Sequence, residues 1–324
     1  MGWYTPQSVA PDLSDILVCG WTACAEGEHL LVPDACMDVL WIRGVGIRVC
    51  GPETAAWSFT LPPGTRSVGV RFRPGSASPM LRTSASELRD SRADLSDVTD
   101  ARTERILLNR LENSEDHEQV SILESAVRSW VSSSFRHDPV INHVRTALSE
   151  HSWNVSSLAD AAALTSRQLQ RRCNDAFGYG PATLRSILRL QRFMALARSR
   201  PALGLAESAA HCGFSDQAHL TRECRRISSL TPAALLRTQA PDWHGSDTVV
   251  ALAEGTRSRN PDRAPPPSLL AEKRPCRPQP TEGKNCDRHV VVTGGVERAC
   301  CTDQPGQDQR RDSAEQSHSE VVRQ

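Results

Sequence analysis

The sequence predicts an α+β chain: a β-rich N-terminal domain, a helical linker, and an all-α C-terminal domain made of two helix-turn-helix units. Three observations carry this. Residues 28–75 hold short apolar runs broken by Pro and Gly, residues 151–237 hold an internal repeat at an offset of 51, and charge is divided between the two regions. Across 324 residues the 38 basic and 38 acidic side chains cancel. From Trp153 to Arg237, however, there are twelve Arg, no Lys and five acids, a net +7, whereas residues 1–152 carry −6. A basic module beside an acidic one is the footprint of a nucleic-acid binder with a second function. The only Lys are Lys273 and Lys284, so part of the Arg excess reflects a high-GC coding bias.

Residues 1–92 read as the β-rich domain. "HLLVPDACMDVLWI" and "GIRVCG" are short β-rich runs. In "TRSVGVRFRPG", Val68, Val70 and Phe72 alternate with Gly69, Arg71 and Arg73, the pattern of a half-buried strand. "PPGT" before it is a turn. A domain of this size can enclose a pocket. From Pro79 the pattern turns helical, with Ser84 and Glu87 at capping-box spacing. Residues 93–150 read as a helical linker. Ile106, Leu107 and Leu111, then Val120, Leu123, Val127 and Val131, form amphipathic faces suited to the β domain or to a dimer seam, and the pattern does not choose between them.

Residues 151–240 read as the helical domain. "LQRRCNDAFGYGP" (169–181) aligns with "LTRECRRISSLTP" (220–232), matching Leu169 with Leu220, Arg171 with Arg222, Cys173 with Cys224 and Pro181 with Pro232. Upstream of each lies an Ala-rich segment, "SLADAAAL" and "LAESAAHCGF", whose small residues let a second helix cross closely. Helix, tight turn and second helix thus occur twice, joined by helical pattern from Pro181 to Arg198. In the second copy Gly213 suits the turn, Ser215 is the expected N-cap, and Asp216 suits the positive helix end. Leu220, Cys224 and Ile227 make the apolar stripe. Gln217, Thr221, Arg222 and Arg225 fall away from it, offering the amide, hydroxyl and guanidinium groups that read base edges and grip phosphates.

"ADAAALTSRQLQRRCNDAFGYGP" followed by "AESAAHCGFSDQAHLTRECRRISSLTPAALLR", from about Val155 to Arg237, resembles the DNA-binding domain of the AraC/XylS family of bacterial transcription regulators. It departs from that pattern at Cys173 and Cys224, where Phe is usual, at Ser229, where Gly is usual, and at Ser208, where an aliphatic is common. Smaller core groups would lose about 1–3 kcal/mol each unless neighbours fill the space. The resemblance implies that Arg167, Gln170 and Arg171 face one major groove and Gln217, Thr221 and Arg222 the next, with Arg225 and Arg226 nearer the phosphates. It implies double-stranded DNA and RNA polymerase as partners, an unidentified small-molecule effector and a homodimer, with no cofactor and no enzymatic activity. The N-terminal stretch resembles the cupin-like front domain of a subgroup of these regulators.

Enzyme signatures G-x-S-x-G, H-E-x-x-H, G-x-G-x-x-G and G-x-x-x-x-G-K-[ST] do not occur. His29, Asp34, Cys36 and Asp38 cluster around one strand run, and alternation puts the last three on one face. No second His joins them, and no metal is expected. Cys19, Cys24, Cys36 and Cys50 sustain one alternative, a DNA-repair methyltransferase that shares this DNA-binding domain and accepts an alkyl group on an N-terminal Cys. Only Cys19 and Cys24 approach zinc-site spacing. Eleven scattered Cys, and a start lacking a basic segment followed by an apolar run, point to reduced thiols and a cytoplasmic protein. No membrane span is expected. Beyond Trp243 there is no aromatic residue, so residues 241–324 read as a disordered tail.

Overall fold

The computed structural model describes residues 3–131, 138–149 and 155–238. The tail read over 241–324 lies outside them. Eight strands open the chain: β1 (Tyr4–Gln7), β2 (Leu17–Cys24), β3 (Glu28–Leu31), β4 (Met37–Ile42), β5 (Gly46–Cys50), β6 (Trp57–Thr60), β7 (Arg66–Phe72) and β8 (Arg92–Asp94). Helix α1 (Ala77–Leu81) precedes β8, and α2 (Leu95–Val98), α3 (Ala101–Glu112) and α4 (Gln119–Trp130) follow it. Six strands join in the antiparallel order β1-β2-β7-β4-β5-β8, while β3 pairs β6 in a separate ribbon.

Period-two alternation sorts the large sheet into two faces. Val39, Trp41, Ile47, Val49, Val68, Val70 and Phe72 lie on one face and are fully buried, in a core shared with Leu107, Leu111, Leu123 and Val127. Helices α3 and α4 therefore cover the sheet, which answers the question their amphipathic faces left open. Ile106, expected on the apolar face of α3, is instead 50% exposed, because that face is centred on Leu107 and Leu111.

On the opposite face the middle of β7 is buried too, so the half-buried pattern read for that strand needs correction there: Arg71 is only 4% exposed, whereas Leu40, Arg48 and Ser67 on the same face are half-buried. The expected capping box fails as well. The Glu87 N–H bonds the Ser84 carbonyl in a turn and the Ser84 hydroxyl pairs with Ser86, while the chain goes on to form β8 against β5. Strand pairing overrides a short helical pattern.

The C-terminal helices are α5 (Pro139–Ser149), α6 (Val155–Ala161), α7 (Ser166–Phe177), α8 (Pro181–Ser199), α9 (Leu205–His211), α10 (Gln217–Ser228) and α11 (Pro232–Thr238). The starts of α7 and α10, like those of α8 and α11, differ by the 51 residues of the sequence repeat. Each unit has its own core. Leu158, Leu169, Cys173, Phe177 and Leu184 fill the first, joined by Ile141, Val144 and Leu148 of α5. Phe193, Met194, Leu220, Cys224 and Ile227 fill the second. Cys173 and Cys224 are fully buried, so the smaller side chains are enclosed by their neighbours. No helix among the described residues is long and apolar enough to cross a membrane.

Candidate nucleic-acid interface and β-domain pocket

The second helix of each unit starts on a side-chain cap. The Thr165 hydroxyl accepts from the Gln168 N–H, and Gln168 reaches back to the Thr165 N–H, a complete capping box for α7. Helix α10 is capped by Asp216, not by Ser215 as expected. The Asp216 carboxylate accepts the His219 N–H at 2.6 Å, and the Ser215 hydroxyl turns to His219 Nδ1. A carboxylate satisfies the same orphan donor and adds its charge to the positive helix end. The bond from His219 in turn holds the Asp216 carboxyl below the usual carboxylate range.

All eight residues expected at DNA lie on these two helices. Arg167, Gln170 and Arg171 are exposed on α7, and Gln217, Arg222, Arg225 and Arg226 on α10, with Thr221 half-buried. Their side chains are not equally available. Arg226 is clasped by Glu223 through Nε at 3.0 Å and Nη2 at 2.9 Å. The Thr221 hydroxyl donates to the Gln217 carbonyl, and the Gln170 amide to Asn174 Oδ1. Sequence reasoning missed a further basic row: Arg185, Arg189 and Arg192 follow at i, i+4 and i+7 along α8, the helix that joins the units. Burial and the two flanking guanidiniums lower the Arg189 pKa. That spacing was visible in the sequence and marks these side chains as neighbours on one helix.

The C-terminal ends of both helices are held by the β domain. The last carbonyls of a helix lack intrahelical partners. On α7 the Asp175 carbonyl accepts the Ala85 N–H at 2.9 Å, and just beyond the helix the Gly178 carbonyl accepts Arg89 Nη1 at 3.2 Å. On α10 the Ile227 carbonyl accepts the Ala56 N–H at 2.6 Å. Between the units, the fully buried Gln191 of α8 donates from Nε2 to the Pro33 carbonyl at 2.6 Å. Ala35 packs in the core of the first unit and Val32 in that of the second. Two β-domain segments, 32–35 and 52–56, thus reach both units.

Those segments also wall a cavity of about 290 Å³, whose lining includes Val32, Pro33, Asp34, Glu53 and Trp57. Its floor is the second face of the large sheet. Trp21 lies over Gly69, where any Cβ would come within 2.4 Å of the indole, so only Gly fits there. Buried Arg71 bonds Asp38 through Nε at 3.2 Å and approaches Asp34 Oδ2 to 3.3 Å through Nη1. Asp38 also accepts Trp21 Nε1 at 2.9 Å. Asp34, Cys36 and Asp38 therefore do share one environment, but its cation is Arg71. No group of three or more His, Cys, Asp or Glu among the described residues could hold a metal ion. Of the four N-terminal thiols, Cys19 and Cys36 are buried, Cys50 is half-buried and Cys24 is exposed. Burial pushes the Cys50 thiol up to about 12, which leaves it protonated and weakly nucleophilic at neutral pH.

Residues 158–238 match the helix-turn-helix domain family, and residues 7–94 match a domain of unknown function (DUF6597). No curated protein matches the chain. Similar solved structures include ToxT from Vibrio cholerae O395, 13% identical over 68% of this chain and 98% of that one, with a TM-score of 0.37. The same protein bound to (E)-4-(8-methylnaphthalen-1-yl)but-3-enoic acid is 10% identical over 72% and 98%, with a TM-score of 0.40. Likeness at this level does not extend to what that protein binds.

Proposed function

We propose that this chain, whose residues 158–238 form an AraC-type helix-turn-helix domain, is a sequence-specific transcription regulator whose DNA affinity responds to a small molecule in the β-domain pocket. The observation that carries this is the shared wall. The segments that line the pocket bond the C-terminal end of α10 and the middle of α8, and the neighbouring Ala85 and Arg89 hold the end of α7. A ligand that favours one arrangement of these segments shifts both helices together, and it can shift the equilibrium only by its differential affinity for the two arrangements.

On DNA, Arg167 and Arg171 of α7 and Arg222 of α10 would read base edges in successive major grooves, about 34 Å apart along one face of the duplex. Arg225, and Arg226 once released from Glu223, would hold phosphates, in which case affinity falls steeply with salt. Recruitment of RNA polymerase and pairing of two chains belong to the same reading.

Footprinting of the full chain on a site selected from random duplexes tests it. The expected result is two protected blocks about one helical turn apart, weakening as salt rises. A single block, or no selected sequence at low salt, would refute the two-helix reading.

A further inference from the structure

The two units differ in one ion pair that the repeat makes comparable. In the first, Asp138, just before α5, meets Arg172 of α7 at 3.3 Å. A step of 51 residues carries these two positions to Arg189 of α8 and Glu223 of α10, so equivalent places hold the opposite charges. As α5 packs on α7, so α8 packs on α10. Yet the second pair is not joined. Glu223 turns along its own helix and clasps Arg226, through Nε at 3.0 Å and Nη2 at 2.9 Å. Arg189 makes no ion pair among the described residues. Burial, then Arg185 and Arg192, lower its pKa, and Glu223 is the acid that opposes them.

Burial decides which partner of the clasp can leave. The Glu223 side chain is 17% exposed and that of Arg226 48%. Arg226 is free to turn to a phosphate, whereas Glu223 stays. Its carboxyl lies below the usual carboxylate range, chiefly through the bond from Arg226 and further through one from Ser186 of α8. Once Arg226 has gone, a largely covered carboxylate would stand without its cation beside phosphates of the same sign, and a charge so placed is costly to leave unpaired. Arg189 is the cation in place to meet it. Arg185 and Arg192 crowd Arg189 with like charge from one turn on either side, which favours its gaining an acid.

From this arrangement we infer that Arg189 is a positioning residue for DNA binding: off DNA Glu223 masks Arg226, and on DNA Arg189 takes over Glu223 and leaves Arg226 to a phosphate. The exchange keeps one ion pair within the protein and moves the unpaired positive charge from α8 to Arg226 on α10. The inference rests on the reading of α10 as a DNA-contacting helix, and it adds the residue that makes Arg226 available.

The slope of log affinity against log salt counts the phosphates engaged, so titrations of the full chain on a random duplex at several salt concentrations test this. Arg226→Ala should reduce the slope by about 0.9, the share of one phosphate, and Arg189→Leu should do the same. The two together should lose no more than either alone. Glu223→Gln, which unmasks Arg226, should raise affinity several-fold, and in that background Arg189→Leu should change nothing. Additive losses, or a loss that persists beside Glu223→Gln, would make Arg189 a phosphate contact in its own right and overturn the inference. So would a slope unchanged by Arg189→Leu or by Arg226→Ala. If Arg189→Leu does not fold, Arg189→Gln is read in the same way, and a Glu223→Gln chain that binds no more tightly overturns the inference by itself. Random DNA keeps the test independent of sequence preference and of the pocket. A wild-type chain that binds while Arg189→Leu leaves its slope unchanged defeats this inference alone. A wild-type chain that binds no duplex at low salt defeats the DNA reading and this inference with it.

Discussion

The two helix-turn-helix units are copies in sequence, yet each places its strained backbone at a different point. In the first, the turn between the helices carries Ala163 at φ 52°, and the helix ends on Gly178 at φ 83°. In the second, the turn carries Gly213 at φ 76°, and the helix ends on Ser229 at φ 60°. Each unit thus has one left-handed position filled by Gly and one filled by a residue with a Cβ, in opposite order. The turn bonds are nonetheless equivalent: Leu164 N–H to Ala159 in one, Phe214 N–H to Ala209 in the other. The fold tolerates about 1 kcal/mol of strain at either place. A side chain at Gly178 costs more, because the β domain docks there. A Cβ on Gly178 would lie 2.4 Å from Pro52 Cγ and 3.0 Å from the Ala85 carbonyl oxygen.

Gly178→Ala should therefore break the symmetry most, costing about 3 kcal/mol through strain and the clash with Pro52 together. Urea unfolding of the full chain measures it, and a loss under 1 kcal/mol would mean that the docked end is loose. On DNA, Arg222→Ala should cost about 1–3 kcal/mol on the selected site and much less on random duplex. Arg171→Ala, its repeat partner, should do the same at a different base pair. Equal losses on both duplexes would make either residue a phosphate contact.

The docking segment should also impose a pH dependence. Burial lifts the Glu53 carboxyl to about 7, against the pull of Arg92. An acid whose folded pKa is raised binds its proton more tightly in the folded state, so stability should fall as pH rises from about 5 to 7. Because its side chain is 16% exposed, the fall should be on the order of 1–2 kcal/mol. Glu53→Gln should flatten that slope, and a slope that survives the change assigns it to another group. The smallest effects come from relieving the two strained positions. Ser229→Gly and Ala163→Gly should each gain about 0.5 kcal/mol, since the relief of left-handed strain slightly exceeds the added flexibility of the unfolded chain. A loss at Ser229 would show that its side chain contributes more than its backbone costs.

The helical repeat, the apolar stripes and the alternating faces of the strands were all legible in the sequence, as was the placing of the eight residues expected at DNA on α7 and α10. They depend on residue type at spacings of two to four along the chain, where neighbours in sequence are neighbours in space. Smaller local features, such as the cap at Asp216 rather than Ser215, turned on a difference of one residue between two good capping types. The burial of Arg71 was not legible, because the groups against it, Tyr4, Asp34 and Asp38, are distant from it in sequence. The link between the pocket and helices α7, α8 and α10 was less legible still. It runs through the carbonyls of Pro33, Asp175 and Ile227 and the N–H groups of Ala56 and Ala85. Every residue has a backbone carbonyl and all but Pro an N–H, so no residue type marks these positions, and only the tertiary structure decides which of them meet.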